Sequence, residues 1–304
     1  MPKVSIITRT MDRPRLLART LDSVLAQRFR DWELIIVNGG SGSTVEEVLH
    51  PRMEQFGSRV RVLQFDNPHP GMRGVPLNHG IAHSSGEFVT VLDDDDTWDT
   101  DFLETMLSTF EKAALPGAGG IVCQTRIVEE SPVEEGLQLQ KDYVLNADLF
   151  NVTLARLAVV NAFCIHAFIY RRSAFDAVGG YASDLPVLED WDFNLRFVSM
   201  WEVAVVPRVM THYHLRPSVS SGQEANSQHA EFDRHKFYEA KIINDALRRD
   251  MESGRPGLGV LLANAAQSRW LERRIHSVEG KVRAASEKIG KIDSRTKEMK
   301  AGRK

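Results

Sequence analysis

The run Leu34-Ile35-Ile36-Val37 constrains this chain more than any other feature. Four consecutive strand-forming apolar residues leave no polar side chain to face water, so the strand should be buried on both faces. Such burial demands a layer above and a layer below, and the flanking sequence supplies both. A β-branched run at 4–8 comes before it, while 60–65 and Phe88-Val89-Thr90-Val91-Leu92 come after. Helical signals stand between these runs. Leu17, Leu21, Val24 and Leu25 recur on one face at a helical period, and 78–83 reads as another helix. Asp12-Arg13-Pro14 opens the first of them, with Asp12 suited to cap it and Pro14 to its first turn. Strands alternating with helices predict an α/β fold, a mostly parallel sheet flanked by helices. Ligands of such sheets collect beyond the carboxyl ends of the strands. Three loops leave those ends, at 8–13, 38–42 and 93–96, and are expected to meet on one rim.

The last of these loops is Asp93-Asp94-Asp95-Asp96. Four adjacent carboxylates repel one another and raise one another's pKa. A divalent cation removes that cost, and carboxylate with phosphate oxygens suits Mg²⁺ or Mn²⁺. The plainer alternative is a solvated acidic turn leading into a helix at 97–101. Its position directly after a buried strand, on a ligand-binding rim, favours the metal reading.

The second half is less regular. The segment 117–128 reads as a strand, 159–170 as apolar without a clear period, and 203–206 as another strand. The turn Val178-Gly179-Gly180-Tyr181 leads to Glu189-Asp190-Trp191-Asp192, which Phe193, Phe197 and Met200 extend as a helix with an apolar face. A further helix is expected at 226–251 and a hinge at 254–259. From 269 onward twelve Lys/Arg stand against five Asp/Glu, although the whole chain carries only −3. Leu271, Ile275, Val278, Val282, Ala285, Ile289, Ile292, Thr296 and Met299 alternate spacings of four and three, a heptad seam. Gly280, Gly290, Ala285 and Thr296 weaken it. The tail is expected to pair with a second copy or a partner helix, with contact to an anionic membrane as the alternative.

Taken in order, several segments resemble family-2 glycosyltransferases. They are Val4-Ser5-Ile6-Ile7-Thr8, Leu21-Asp22-Ser23-Val24-Leu25-Ala26-Gln27, Trp32-Glu33-Leu34-Ile35-Ile36-Val37-Asn38 and Leu92-Asp93-Asp94-Asp95-Asp96-Thr97-Trp98. Phe175-Asp176-Ala177-Val178-Gly179-Gly180-Tyr181 and Glu189-Asp190-Trp191-Asp192 continue the likeness, which spans about 1–220. The resemblance implies a GT-A fold, Rossmann-like, and an inverting, non-processive enzyme. Its donor is a nucleotide-sugar, its acceptor a glycan or glycolipid, and its setting surface-polysaccharide or lipopolysaccharide assembly. Asp95 becomes the metal ligand, with Asp93 beside it, and the cation is Mn²⁺ or Mg²⁺. Asp190 becomes the general base, with Glu189 and Asp192 in reserve. The expected donor-binding set is Thr8, Arg9, Thr10, Asn38, Arg73, Asn78, Asp93, Asp94 and His214.

Three positions depart from the family pattern. Asn38-Gly39 stands where a pair ending in an acid commonly reads the nucleotide base, which puts a UDP donor in doubt. Leu77-Asn78 replaces an Arg-Asn pair, leaving Arg73 as the candidate cation for the diphosphate. Tyr213-His214-Leu215-Arg216 inverts the basic residues of the family's Tyr-Arg-x-His. His214 and His212 are the candidates to approach the metal or diphosphate, and Arg216 to pair with phosphate.

The expected organisation is a catalytic domain at 1–220, a helical extension at 221–268 and a basic coiled-coil-like helix at 269–304. Neither the charge balance nor any motif points to nucleic acid. Cys123 and Cys164 lie among apolar residues and read as reduced core thiols. No stretch approaches the length of a membrane span, so the chain reads as cytoplasmic, with peripheral contact at the inner face of the plasma membrane as an alternative. The rival to an enzyme is a catalytically degenerate scaffold that assembles a glycan-synthesis complex through its coiled coil.

Overall fold

The doubly buried strand sits where its composition demands. In this computed structural model, which describes residues 2–66, 71–113, 115–133, 136–219, 222, 225–226 and 232–301, the chain alternates strand and helix through its first third. It runs β1 (Val4–Thr10), α1 (Pro14–Leu25), β2 (Trp32–Asn38), α2 (Gly42–Leu49), α3 (Met53–Phe56), β3 (Val60–Gln64), α4 (Gly74–Ala82) and β4 (Phe88–Val91). There follow β5 (Thr97–Trp98), α5 (Phe102–Ala113), β6 (Ala118–Val133), β7 (Gly136–Val144), α6 (Leu154–Val159), β8 (Phe168–Arg171), α7 (Arg172–Val178), α8 (Glu189–Val198) and β9 (Glu202–Leu215). Two long helices end the described chain, α9 (Phe232–Ser253) and α10 (Leu258–Ala301).

The sheet order is β3-β2-β1-β4-β8-β6-β9-β5, with β7 paired to β6. The first four strands are parallel, whereas β8 runs antiparallel to both β4 and β6. Alternate residues of the central strands feed two cores. Val4, Ile6, Leu34 and Ile36 join Leu17, Leu21 and Val24 of α1 and Phe102, Leu103 and Met106 of α5 in one buried cluster. On the other face α4 lies close against the sheet. A Cβ added at Gly80 would meet side-chain atoms of Ile7 at 2.7 Å and Val37 at 2.8 Å, so only glycine allows that approach. Cys123 is buried, whereas Cys164, expected in the core, is half-buried.

Some local expectations give way to tertiary packing. Asp12 takes a left-handed backbone (φ 52°) and leaves α1 without a side-chain cap. Its carboxylate instead accepts the Ser41 N–H at 2.7 Å and the Thr44 hydroxyl at 3.4 Å, at the start of α2. The apolar stretch at 159–170 is divided between the end of α6, a 3-10 turn at Ile165–Ala167 and β8. Met200 lies beyond α8 and is 55% exposed, so only Phe193 and Phe197 serve the apolar face.

The chain divides into two compact units, Met1–Ile242 and Ile243–Lys304. Within the second, the expected hinge at 254–259 is a hydrogen-bonded turn. The Asp250 carboxylate accepts the N–H groups of Gly257 and Val260, both at 2.9 Å. A Cβ on Gly259 would come within 2.4 Å of the Leu247 backbone nitrogen. The expected boundary at 269 falls inside the unbroken α10. Among the described residues no helix is long and apolar enough to cross a membrane.

Candidate active site

The order β3-β2-β1-β4 places a change of winding direction between β1 and β4, and a crevice opens there beyond the strand ends. The three rim loops are tied to one another. The Gly39 N–H donates to the Thr10 carbonyl at 2.9 Å, and the Thr10 hydroxyl to Asp94 Oδ2 at 2.7 Å. They border a cavity of about 580 Å³ whose polar wall includes Arg9, Thr10, Arg13, Asp93, Asp94, Asp95 and Asn226, with Arg73 beside them. Phe65, Met72, Pro76 and Tyr213 give it an apolar side, and Asp66 lines it as well. Its size and mixed lining suit a small polar ligand.

Each aspartate has its own surroundings. Asp93 accepts from Arg9 Nε at 3.1 Å and is the most open, its side chain 24% exposed. Asp94 receives Arg13 Nη1 at 2.7 Å as well as Thr10; burial, only partly offset by Arg13, pushes its carboxyl up to about 7. Asp95 is buried, which disfavours its charge, yet Arg13 and Arg216 overcome that and hold it below the usual carboxylate range. Arg13 Nη2 reaches its Oδ2 at 3.1 Å, Asn226 Nδ2 reaches the same oxygen at 3.3 Å, and Arg216 Nη2 bonds there too. Asp96 turns away from the cavity. Its carboxylate meets His166 Nδ1 at 2.8 Å and accepts the His214 N–H at 3.0 Å.

A second pair of acids stands at the start of α8, outside the residues that line the cavity and tied to them through Arg9. Leu188 adopts a left-handed backbone (φ 65°), a strained state for a leucine, and so swings Glu189 and Asp190 into the first turn. The positive end of the helix favours acids there. Glu189 is buried and accepts Arg9 Nη1 at 2.8 Å. Arg9 thereby bridges the acidic turn and α8, and its Nη1 also donates to the Arg73 carbonyl at 2.9 Å. Asp190 is held by Asn161 Nδ2 at 2.8 Å and by the Trp191 N–H at 2.8 Å. Burial, reinforced by repulsion from Glu189, pushes its carboxyl up to about 6. A carboxylate with that affinity is ionised at neutral pH and still holds a proton more tightly than an ordinary aspartate, which is what proton abstraction from a hydroxyl requires.

Of the expected donor-binding residues, Arg9, Thr10, Arg73, Asp93 and Asp94 line the cavity, as does Asp95. Thr8, Asn38, Asn78 and His214 do not. Thr8 is fully buried within β1. The Asn38 side chain folds back on its own loop, donating to the carbonyls of Gly40 and Ser41 and accepting the Gly40 N–H. Asn78 clamps Tyr181 by exchanging bonds with its backbone N–H at 2.9 Å and carbonyl at 2.8 Å. On β9 the two-residue alternation aims Tyr213 at the cavity and its neighbour His214 away. His214 lies instead against Thr97 Oγ1 at 2.9 Å and Glu130 Oε1 at 3.0 Å. His212 likewise meets Asp99 at 2.8 Å. Arg216, considered for a phosphate, bonds Asp95.

Arg13, Asn226 and Asn161 join the site without having been marked by the sequence. For Arg13 a signal existed, since it follows β1 on the rim loop. Asn161 and Asn226 reach their carboxylates from irregular segments, which carry no periodic pattern.

Residues 5–179 match the family described as glycosyl transferase family 2. The chain is 32% identical over 145 residues to the GalNAc(5)-diNAcBac-PP-undecaprenol beta-1,3-glucosyltransferase of Campylobacter jejuni subsp. jejuni serotype O:2, covering 47% of this chain and 45% of that protein. It is 28% identical over 215 residues to a PGL/p-HBAD biosynthesis glycosyltransferase of Mycobacterium bovis (strain BCG), covering 69% of this chain and 74% of the relative. In structure it resembles the mannosyltransferase PcManGT from Pyrobaculum calidifontis, solved in complex with GDP-Man and Mn²⁺. The TM-score is 0.52 at 15% identity, over 88% of this chain and 80% of that one.

Proposed function

The chain belongs to glycosyl transferase family 2 and carries the GT-A fold, and from that premise we propose that it transfers one sugar, with inversion, from a nucleotide-sugar to an acceptor hydroxyl. The acceptor is a glycan or glycolipid of surface-polysaccharide or lipopolysaccharide assembly, a reading supported by the PP-undecaprenol in the Campylobacter relative's name. The observation that carries the reaction is Asp190, raised to about 6 and joined through Glu189 and Arg9 to the acidic turn.

On this reading the acceptor oxygen attacks the anomeric carbon from the face opposite the diphosphate. The new C–O bond forms as the bond to the diphosphate oxygen breaks. The hydroxyl proton passes to the Asp190 carboxylate, and the nucleoside diphosphate leaves with the bonding electron pair. Asn161 and the Trp191 N–H fix the carboxylate while it does so. Glu189 is a poor substitute base because Arg9 holds it. Arg9, Arg13 and Arg73 line the cavity and supply positive charge for the diphosphate.

The acidic residues fit a divalent cation, Mn²⁺ or Mg²⁺. Asp93 and Asp95 offer only hard oxygen donors on the cavity wall, and Asp95 is kept ionised by its arginines. Among the described residues no group of three or more His, Cys, Asp or Glu forms a ready cage. Donor phosphates would therefore complete the coordination, the usual arrangement for these ions. When bound, the cation neutralises charge on the departing diphosphate.

Asp190→Asn tests the assignment. Transfer should fall by about 10²–10⁴-fold while the affinity for a nucleoside diphosphate with Mn²⁺ stays within a factor of a few. A variant that keeps its turnover removes Asp190 from the chemistry. Inactivity of the wild-type protein across a nucleotide-sugar panel with suitable acceptors would leave the scaffold reading instead.

A further inference from the structure

The second unit carries a surface that the transfer reaction does not use. On α10, Leu271, Ile275, Val278 and Val282 are 47%, 54%, 55% and 58% exposed. They are consecutive members of the heptad seam, so α10 presents a stripe of large apolar side chains to solvent.

What covers it can be read from the residues flanking the stripe. With Leu271 at position d, the a positions are Ile275, Val282, Ile289 and Thr296 and the further d positions Val278, Ala285, Ile292 and Met299. The g positions are Arg274, Lys281, Lys288 and Arg295, and the e positions Glu272, Glu279, Ser286, Asp293 and Lys300. One flank is thus basic and the other acidic over most of the seam. In a parallel pair each g faces the e of the partner's next heptad. Position 274 then meets 279 and position 288 meets 293, each a basic residue opposite an acid. Lys281 meets the neutral Ser286, and only the last heptad mismatches, Arg295 with Lys300. In an antiparallel pair g faces g and e faces e, so the bases would meet bases and the acids acids. A membrane-seated helix wants cations on both flanks, and the acids at 272, 279 and 293 oppose that. Gly280 falls at f and Gly290 at b, both off the seam.

We propose that 271–299 forms a parallel, in-register, two-stranded coiled coil with a second copy of this chain. The two catalytic units then join the coil at the same end. The proposal stands apart from the transfer reaction.

Light scattering on the full chain at micromolar concentration should give twice the 34.2 kDa monomer mass. Reversing the g flank (Arg274→Glu, Lys281→Glu, Lys288→Glu) should yield a monomer, and so should reversing the e flank (Glu272→Lys, Glu279→Lys, Asp293→Lys). Mixing the two variants should restore a dimer, which separates lost pairing from lost folding. Leu271→Cys should cross-link on mild oxidation, whereas Ser277→Cys, off the seam, should not. In an antiparallel pair the two 271 positions would stand roughly 40 Å apart and could not cross-link. A monomeric wild-type chain overturns the proposal, as does a dimer that survives either reversal or one that Leu271→Cys fails to cross-link. A monomer that co-sediments with phosphatidylserine vesicles overturns it too, and assigns the stripe to a membrane.

Discussion

A base that works at neutral pH must be free of its proton yet able to accept one, and at Asp190 burial provides the second property. Its carboxyl is pushed up to about 6. On the proposed mechanism kcat/KM should therefore be flat above that pH and fall about tenfold per pH unit below it, readable from initial rates at pH 5–8. Stability runs the other way. An aspartate raised above its ordinary value takes up its proton more readily in the folded chain. The group is neutral in both states below about pH 4, and its burial becomes a penalty as pH rises from there to about 6. Asp190→Asn is thus expected to raise stability above pH 6 by roughly 1–3 kcal/mol, and not below pH 4. Melting curves at the two pH values decide it. Gly39 offers a test of nucleotide choice. A Cβ there would meet only the carbonyl oxygens of Thr10 at 3.9 Å and Phe65 at 4.0 Å, so an acid fits the space. Gly39→Asp should change stability by less than about 0.5 kcal/mol and shift the thermal response among nucleoside diphosphates toward UDP.

At the scale of elements, two glycines of α10 part company: the sequence places Gly259 at the end of an expected hinge and Gly280 inside the heptad helix. Gly259 and Gly280 are both glycines in a helix, each nominally costing up to about 1 kcal/mol against alanine. Around Gly280 a Cβ would meet nothing within 4 Å, but at Gly259 it would run into the backbone of Ala246 and Leu247. Gly280→Ala should therefore increase helicity and Gly259→Ala reduce it, a contrast that circular dichroism of the full chain resolves. The same distinction governs which elements were legible. The parallel strands announce themselves because each is a local run buried on both faces, and the helices between them because their period is local too. Asp12 misleads because its capping chemistry is real but spent on α2, which folding brings alongside the rim loop. The readings at 117–128 and 203–206 find β6 and β9 but stop short of their ends, because the pairing there is irregular. β6 carries a register shift at Glu129/Glu130, and β9 shifts repeatedly along β6.

At the scale of the whole molecule, the candidate site is assembled from residues far apart in sequence, and that decides how much of it could be foreseen. The acidic turn and Asp190 were legible as motifs. Their joining was not, because Arg9 and Glu189 meet across 180 residues, and only the sheet topology selects them for each other. Asn226 and Arg216 reach Asp95 across still less patterned sequence. The chain resolves into two compact units, and the two proposals assign them different work, which has a thermodynamic consequence. On the proposed function a nucleoside diphosphate with Mn²⁺ would bind only the folded first unit, so at a hundred times its Kd it should stabilise that unit by about 2.7 kcal/mol. A coil formed between two copies is instead stabilised by protein concentration, because its unfolding releases separate chains. Calorimetry should resolve two transitions, one moving upward with added nucleotide and metal, the other with a tenfold rise in protein. One transition answering to both would mean that the units unfold together. A second transition indifferent to concentration would show α10 melting as a single helix, without a partner.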